Sequence, residues 1–212
     1  MTPEAVQELF TRSDGSYGFA RWGRPIVPVV FGIEGPTLGV VKGAIEAVVA
    51  LAGHQMAETD PELGANLMMF FISDWDELPR VPKLDQLVPG LVPLCARLQA
   101  AEANQYRQFR FDADGSVKAV FVFVRMGGVL ADMPAQDLAL NEAVQMIVTW
   151  SDRAFSARSA LARAGEVVIL RPDIGEVIRA SYDPLMPAVA NDSSHSVRLA
   201  ARVALRLAAQ QQ

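Results

Sequence analysis

The segment QFRFDADGSVKAVFVFVR, residues 108–125, constrains the fold more than any other part of the sequence. Two runs rich in aromatic and β-branched residues flank the turn sequence DADG, which is the pattern of a β-hairpin. A calcium-binding loop can also begin in this way, but it needs a bidentate Glu at its twelfth position, where Phe123 stands. The segment therefore predicts two antiparallel strands and no calcium site.

The other periodic segments predict a mixed α+β fold. The continuously apolar run NLMMFFIS is typical of a central strand, and RPIVPVVFGI, with two prolines, is typical of an edge strand. A further strand is predicted at GEVVILRP. Helices are predicted over residues 3–11, 36–53, 84–104, 135–150, 174–183 and 193–210, with Pro89 and Pro93 kinking or splitting the third. We therefore predict one α+β domain over residues 1–212, built on a mixed β-sheet with a hairpin and flanked by helices.

Composition excludes several classes of protein. Cys95 is the only cysteine, so an internal disulfide and a cysteine-based metal cluster are excluded. The N-terminal residues lack the basic and apolar regions of a signal peptide. Every apolar stretch is interrupted before the roughly 20 residues of a membrane span. We expect a soluble, cytoplasmic protein without membrane contacts, in which a hydrophobic fraction of 51% leaves room for a homo-oligomer interface.

The predicted helix over residues 135–150 carries the candidate site. On a helical wheel Asn141, Glu142 and Gln145 form a narrow polar stripe beside a broad apolar face. A zinc peptidase helix presents its ligands and general base in this way, with His at the positions of Asn141 and Gln145. Because amides bind zinc poorly and cannot activate water, we predict no metal and no cofactor, and a non-catalytic role is favoured. A helix at the rim of a sheet shows the same stripe without any such function.

The last predicted helix carries Arg198, Arg202 and Arg206 at intervals of four residues, with His195 nearby on the same side. One interpretation is a surface that binds an anionic partner. The other is a solvated face whose positive charges interact favourably with the C-terminal end of the helix dipole. Nucleic acid is disfavoured as the partner, because no aromatic residues interleave with the arginines and the chain has a net charge of −5.

Four blocks of the sequence together resemble an uncharacterised proteobacterial domain family, many of whose members are described only as lipoproteins of unknown function. The blocks are RWGRPIVPVVFG, NLMMFFISDWDEL, NEAVQ and IRASYDPLMPAV. Where NEAVQ stands, the family tends to have two glutamates, two variable residues and a glutamine. Glu142 and Gln145 therefore match the family and Asn141 departs from it, while Tyr182 and Asp183 match its closing Tyr-Asp-Pro motif.

The resemblance implies a zincin-like layout, similar to that of zinc-dependent peptidases but without the zinc-ligand histidines. In such a layout Glu142, Gln145, Tyr182 and Asp183 converge on one cleft. We therefore expect a non-catalytic domain in which these residues and Asn141 bind a peptide or small ligand, or only stabilise the fold. The Tyr-Asp pair also stands directly before a proline, which is typical of residues that end a helix.

Two alternatives to this expectation stay open. The first is a hydrolase of metallopeptidase type that uses Glu142 as its general base. The second is an interaction module that recognises a protein or other anionic partner through Arg198, Arg202 and Arg206. Convergence of further ligands on Glu142 would distinguish the first alternative, and salt-dependent binding to an anionic matrix would distinguish the second.

Overall fold

The computed structural model describes residues 1–209 and, for Val129, the backbone alone. Within these residues the helices are α1 (Pro3–Phe10), α2 (Gly35–Ala52), α3 (Leu84–Leu87), α4 (Leu91–Ala100), α5 (Ala135–Met146), α6 (Pro172–Ser181) and α7 (Ser194–Ala209). The strands are β1 (Phe19–Ala20), β2 (Pro28–Phe31), β3 (Leu67–Ile72), β4 (Gln105–Phe111), β5 (Val117–Arg125), β6 (Leu161–Ala164), β7 (Val167–Leu170) and β8 (Val189–Ala190). The end of the predicted C-terminal helix, Gln210, and the last residues of the predicted domain lie outside the described residues.

A mixed sheet forms the centre of the molecule, with its strands in the order β2–β3–β5–β4. β2, β3 and β5 are parallel, and β4 pairs with β5 in the antiparallel direction as the predicted hairpin. All six residues of β3 are buried, as expected for a central strand. The short ribbons β1–β8 and β6–β7 lie outside this sheet. The predicted α+β fold, with a mixed sheet, a hairpin and flanking helices, is confirmed.

Helices cover both faces of the sheet, because alternate residues of its inner strands point to opposite sides and are apolar on both. On the larger face α1, α2, α5, α6 and α7 pack together over Met69 and Phe71 of β3. On the smaller face α3, α4 and a 3₁₀ helix (Trp75–Arg80) pack over Met68 and Phe70. α5 lies beside α2 on the larger face, and this position fixes where its polar stripe points.

Three local elements show where sequence patterns succeed and fail. The predicted helix over residues 84–104 is split into α3 and α4 with Pro89 between them, as its prolines require. The predicted helix over residues 135–150 ends at Met146, and Val148 instead forms a β-bridge with Arg21. The sequence does not predict β6, because its residues LARA have weak strand propensity and become a strand by pairing with β7.

α2 spans 18 residues with a mean hydropathy of 1.4, so by length and composition alone it is able to cross a membrane. In the fold it packs on its neighbours through a row that includes Val41, Ile45 and Val49, and 28% of the helix is buried. A core helix of a water-soluble domain passes the same test of length and hydropathy. The predicted absence of membrane contacts therefore stays a prediction.

Candidate functional site

α5 places the predicted polar stripe inside the molecule. Its apolar residues, including Leu138 and Ala143, are buried in the core that α5 shares with α2 and the sheet. Asn141 and Gln145 are half-buried, whereas Glu142 has no exposed surface at all. The stripe therefore runs from the protein interior at Glu142 to partly accessible positions at Asn141 and Gln145, and the buried Glu142 needs a partner.

Glu142 forms a buried ion pair with Arg107 of β4. Its Oε2 accepts a hydrogen bond from Arg107 Nη2 at 2.5 Å, and its Oε1 accepts one from the Asn141 amide at 3.1 Å. The Arg107 side chain is 15% exposed, and its Nη2 also donates to Gln105 Oε1 at 3.1 Å. The Arg107 Nε is buried without a hydrogen-bond partner in the part of the chain that the structure describes. The pair joins α5 to the edge strand of the sheet.

This arrangement compensates the Glu142 carboxylate and at the same time encloses it. Burial of a carboxylate costs several kcal/mol unless an opposite charge and hydrogen bonds compensate it. Arg107 supplies the charge and Asn141 supplies a further hydrogen bond, so both carboxylate oxygens are engaged. A general base must approach a water or substrate to within hydrogen-bond distance. Glu142 has no exposed surface on which that approach can occur.

The helix pattern around Glu142 does not indicate Arg107, because Arg107 lies 35 positions away in another element. A signal nevertheless exists in the alternation of β4. Arg107 and Phe109 are two residues apart and share one face of the strand, and Phe109 packs against the larger core. A charged residue on the core-facing side of a strand indicates a buried partner of opposite charge.

A cleft of about 240 Å³ opens beside Asn141. α5 forms one wall with Asp137 and Asn141, and the β6–β7 ribbon forms the other with residues that include Leu161 and Arg163. Gln145 does not line this cleft, and its side chain forms no hydrogen bond within residues 1–209. Asn141 is thus the member of the polar stripe that lines this cleft.

Tyr182 and Asp183 end α6 and have contacts of their own. The Tyr182 hydroxyl donates to the Ile147 carbonyl oxygen at 2.7 Å, and burial raises the pKa of this hydroxyl. Asp183 Oδ1 accepts a backbone N–H two residues further along, and its Oδ2 lies 3.5 Å from Arg202 Nε. Among the described residues, no hydrogen bond or ion pair joins either side chain to Glu142. Their bonds fit the helix-ending interpretation, and their predicted part in a ligand site stays a prediction.

Two of the three arginines predicted to bind a partner are paired within the chain. Arg202 faces Asp183, and Arg206 Nε lies 3.3 Å from Oε2 of Glu176 in α6. Arg198 is exposed and forms no ion pair with any residue of the described chain. Arg206 thus pairs with α6 and Arg202 with the segment directly after it, and Arg198 is the member that stays open to an anionic partner.

His195 lies in the core rather than beside the arginines, which corrects the expectation from the sequence. It has no exposed surface, its Nδ1 lies 2.7 Å from the Tyr17 hydroxyl, and its ring stacks on Phe19. Burial and, secondly, the charge of Arg198 lower the pKa of His195 to about 4. Position 195 shares the inward face of α7 with Leu199, because residues four apart lie on one side of a helix.

The residues on α5 do not fit a zinc ion. Asn141 and Gln145 are amides at the positions where a zinc peptidase has histidines. His54 Nε2 contacts the Arg24 carbonyl oxygen at 2.9 Å, and His195 is part of a different element. Across residues 1–209, no three His, Cys, Asp or Glu side chains are grouped so that they are able to hold a metal ion. The chemistry of this region is that of an ion pair and amide hydrogen bonds.

Comparison with protein-family models, with curated proteins and with solved structures gives no match for this chain. The resemblance to the uncharacterised proteobacterial family therefore stays a prediction based on the four sequence blocks. The contacts of Glu142 and the cleft beside Asn141 are the observations that bear on function.

Proposed function

We propose that this protein is a non-catalytic, zincin-like α+β domain that binds a peptide or a small ligand. The ligand occupies the cleft beside Asn141, between α5 and the β6–β7 ribbon. The observation that carries the proposal is the complete burial of Glu142 in its ion pair with Arg107. Glu142, which stands at the position of a general base, is therefore part of a structural ion pair. Its neighbour Asn141 lines an accessible cleft.

The lining of the cleft supports recognition of a short polar and apolar group together. Asp137 and Asn141 lie one helical turn apart and offer an acceptor and an amide, and Arg163 offers a cation. Met133 and Val168 add apolar surface. The volume of about 240 Å³ is below the range of about 300–1,000 Å³ that drug-sized ligands occupy. The cleft therefore suits one or two side chains of a peptide, or a fragment-sized molecule.

Affinity capture from a defined peptide mixture tests this proposal. The protein is immobilised, incubated with the tryptic peptides of casein, washed, and the retained peptides are identified by mass spectrometry as intact or cleaved. The same format with a mixture of small amides and carboxylic acids tests the small-ligand form. We expect a reproducible set of retained molecules, and the retained peptides are expected to be intact because Glu142 has no access to a substrate.

Two variants of one strand locate the binding. Ala162 lines the cleft, so Ala162→Phe fills it, whereas Ala164 is exposed on the same strand and does not line it. Retention is expected to fall at least tenfold in Ala162→Phe and to stay within twofold in Ala164→Phe. Equal retention by both variants, or no retained molecule in either mixture, contradicts the proposal.

The hydrolase alternative predicts a different result in the same experiment. Peptides are then recovered as cleaved products, and Glu142→Gln abolishes the cleavage while keeping the shape of the side chain. Elemental mass spectrometry of the purified protein and of Glu142→Ala adds a second readout. Near-stoichiometric zinc that is lost in Glu142→Ala, together with cleaved peptides, would establish the hydrolase in place of the binding domain.

A further inference from the structure

A second and larger cavity lies apart from the cleft beside Asn141. This groove, of about 810 Å³, runs between α1, the loop over residues 153–158 and the start of α6, and we call it the α1 groove. No residue lines both cavities. No local sequence pattern indicates this groove, since its walls come from three segments that are distant along the chain.

Three arginines line the α1 groove: Arg153, Arg158 and Arg171. Arg171 is buried and held in place, because its Nε and Nη2 donate to the Asp173 carboxylate at 3.0 and 2.5 Å and its Nη1 donates to the Ser159 carbonyl oxygen at 2.9 Å. Arg153 and Arg158 are exposed, and neither forms an ion pair with any residue in the described part of the chain. Two guanidinium groups of the lining are therefore available to a ligand.

The carboxylates of the groove do not cancel this positive charge. Asp173 and Glu8 are the acidic residues of the lining. Burial acts to raise the pKa of Asp173, but the hydrogen bonds and charge of Arg171, then the backbone N–H of Ile174 and the charge of Arg158, together outweigh it and lower the pKa. Asp173 is thus an ionised partner that Arg171 already occupies. The lining therefore carries three arginines against two carboxylates, Glu8 and Asp173.

The rest of the lining is mixed: Thr2, Thr11 and Ser156 are polar, and the other residues are apolar. Leu9 and Ala5 of α1 form one wall, and Ile174 of α6 and Ala154 of the loop form part of the other. Leu9 and Ile174 are buried members of the larger core and anchor these walls, and the half-buried Ala5 and Ala154 supply apolar surface that a ligand can contact. The groove thus places unpaired cations next to fixed apolar surface, within a volume that suits a drug-sized molecule.

We propose that the α1 groove binds a small organic anion whose carboxylate or phosphate group contacts Arg153 and Arg158 and whose apolar part packs against Ala5 and Ala154. Guanidinium groups recognise both kinds of oxyanion through paired, charge-assisted hydrogen bonds. This site is independent of the proposed ligand cleft, because the two cavities share no lining residue. Failure of one proposal therefore leaves the other standing.

Isothermal titration with three eight-carbon probes tests the inference. Octyl phosphate, octanoate and 1-octanol share one apolar chain and differ in the head group, and all three are used below the concentrations at which they aggregate. We expect at least one of the two anions to bind at least tenfold more tightly than 1-octanol. The ratio of octyl phosphate to octanoate affinity then shows which oxyanion the arginines prefer.

Charge-matched variants place the binding in the groove. Arg153→Ala/Arg158→Ala removes the two unpaired cations, and both side chains are exposed, so the core is left intact. Arg80→Ala/Arg97→Ala removes the same charge from exposed positions outside the groove. Arg153→Ala/Arg158→Ala is expected to lower the affinity for the preferred anion at least tenfold. Arg80→Ala/Arg97→Ala is expected to lower it less than twofold. Equal affinity for 1-octanol and both anions, or equal effects of the two double variants, overturns the inference.

Discussion

Glu142 and His195 are both fully buried ionisable side chains, but only Glu142 has a partner of opposite charge. Glu142 is paired with Arg107 and hydrogen-bonded to Asn141. His195 contacts the Tyr17 hydroxyl through Nδ1, but its Nε2 is buried without a partner among residues 1–209. A buried charge is tolerated when an opposite charge accompanies it, whereas a group without one is favoured in its neutral form. At equal burial, the partner decides which form the fold stabilises.

Removal of the partner of Glu142 is expected to have the largest effect. Arg107→Met leaves a buried carboxylate without its counter-charge, and such a change lowers the free energy of unfolding by about 3–5 kcal/mol. Urea unfolding followed by circular dichroism measures this loss. The double variant Arg107→Met/Glu142→Leu removes both charges and replaces them with apolar groups, so we expect it to be more stable than Arg107→Met. Equal stability of the two variants contradicts the assignment of Glu142 as a charge held by Arg107.

Lowering the pH tests whether the fold keeps His195 in its neutral form. His195 has a pKa of about 4 in the fold against an ordinary value of 6.5, so the unfolded chain takes up a proton at a higher pH than the folded chain does. Above pH 6.5 both states are neutral and this effect vanishes. As the pH falls from 6.5 to 4, the unfolded state gains stability, and the fold loses about 3 kcal/mol in total.

A variant without the imidazole isolates this contribution. His195→Phe keeps an aromatic ring beside Phe19 and does not titrate. The difference in unfolding free energy between the natural protein and His195→Phe is therefore expected to change by about 2–3 kcal/mol between pH 7.5 and pH 4.5, in favour of the variant. Carboxylates titrate in both proteins and largely cancel in the difference. A difference that is constant over this range shows that folding leaves the pKa of His195 unchanged, and a change in favour of the natural protein shows that folding raises this pKa; either result contradicts a neutral, buried His195.

Tyr182 is an intermediate case, a buried polar group that is neutral and has a partner. Its hydroxyl donates to Ile147 at 2.7 Å and lies 3.4 Å from the Trp22 backbone nitrogen, which donates to it. Tyr182→Phe removes these bonds without opening a cavity, and we expect a loss of about 1–2 kcal/mol in unfolding free energy. Retention of ligands in the peptide and fragment mixtures should be unchanged. A selective loss of retention at unchanged stability contradicts the helix-ending role and supports the ligand site implied by the family resemblance.

Local patterns predict much of the fold, because hairpins, helices and central strands have signals within a few residues of chain. The turn at DADG predicts β4 and β5, and the uninterrupted apolar run of β3 predicts its central position. β6 escapes prediction since its strand state depends on pairing with β7 rather than on its own residues. The same holds for α5, whose end at Met146 reflects a β-bridge between Val148 and Arg21.

The candidate site is less predictable, because its chemistry depends on partners that are distant in sequence. The polar stripe on α5 identifies Glu142, but the effect of burial on this residue depends on Arg107, which the helix pattern cannot supply. Helical spacing places His195 next to both Arg198 and Leu199, so spacing alone does not decide between the arginine row and the inward face. Its partner Tyr17 lies 178 positions away. The helix pattern around Glu142 is thus similar to that of a catalytic helix, whereas the distant residue Arg107 makes Glu142 part of a buried ion pair.

The smallest effect is expected at the ion pairs on α7. Arg202 and Asp183 have side chains that are 28% and 17% exposed, and the two charged groups lie 3.5 Å apart. Because water screens such a pair and its side chains lose entropy, Arg202→Gln should change the unfolding free energy by less than about 1 kcal/mol. Urea unfolding of Arg202→Gln beside Arg198→Gln, which removes an unpaired cation of the same row, measures the contribution of the pair. A loss as large as that of Arg107→Met would mean that ion pairs hold α7 in place. A small loss in both variants means that the buried row containing Leu199 holds α7, as we expect.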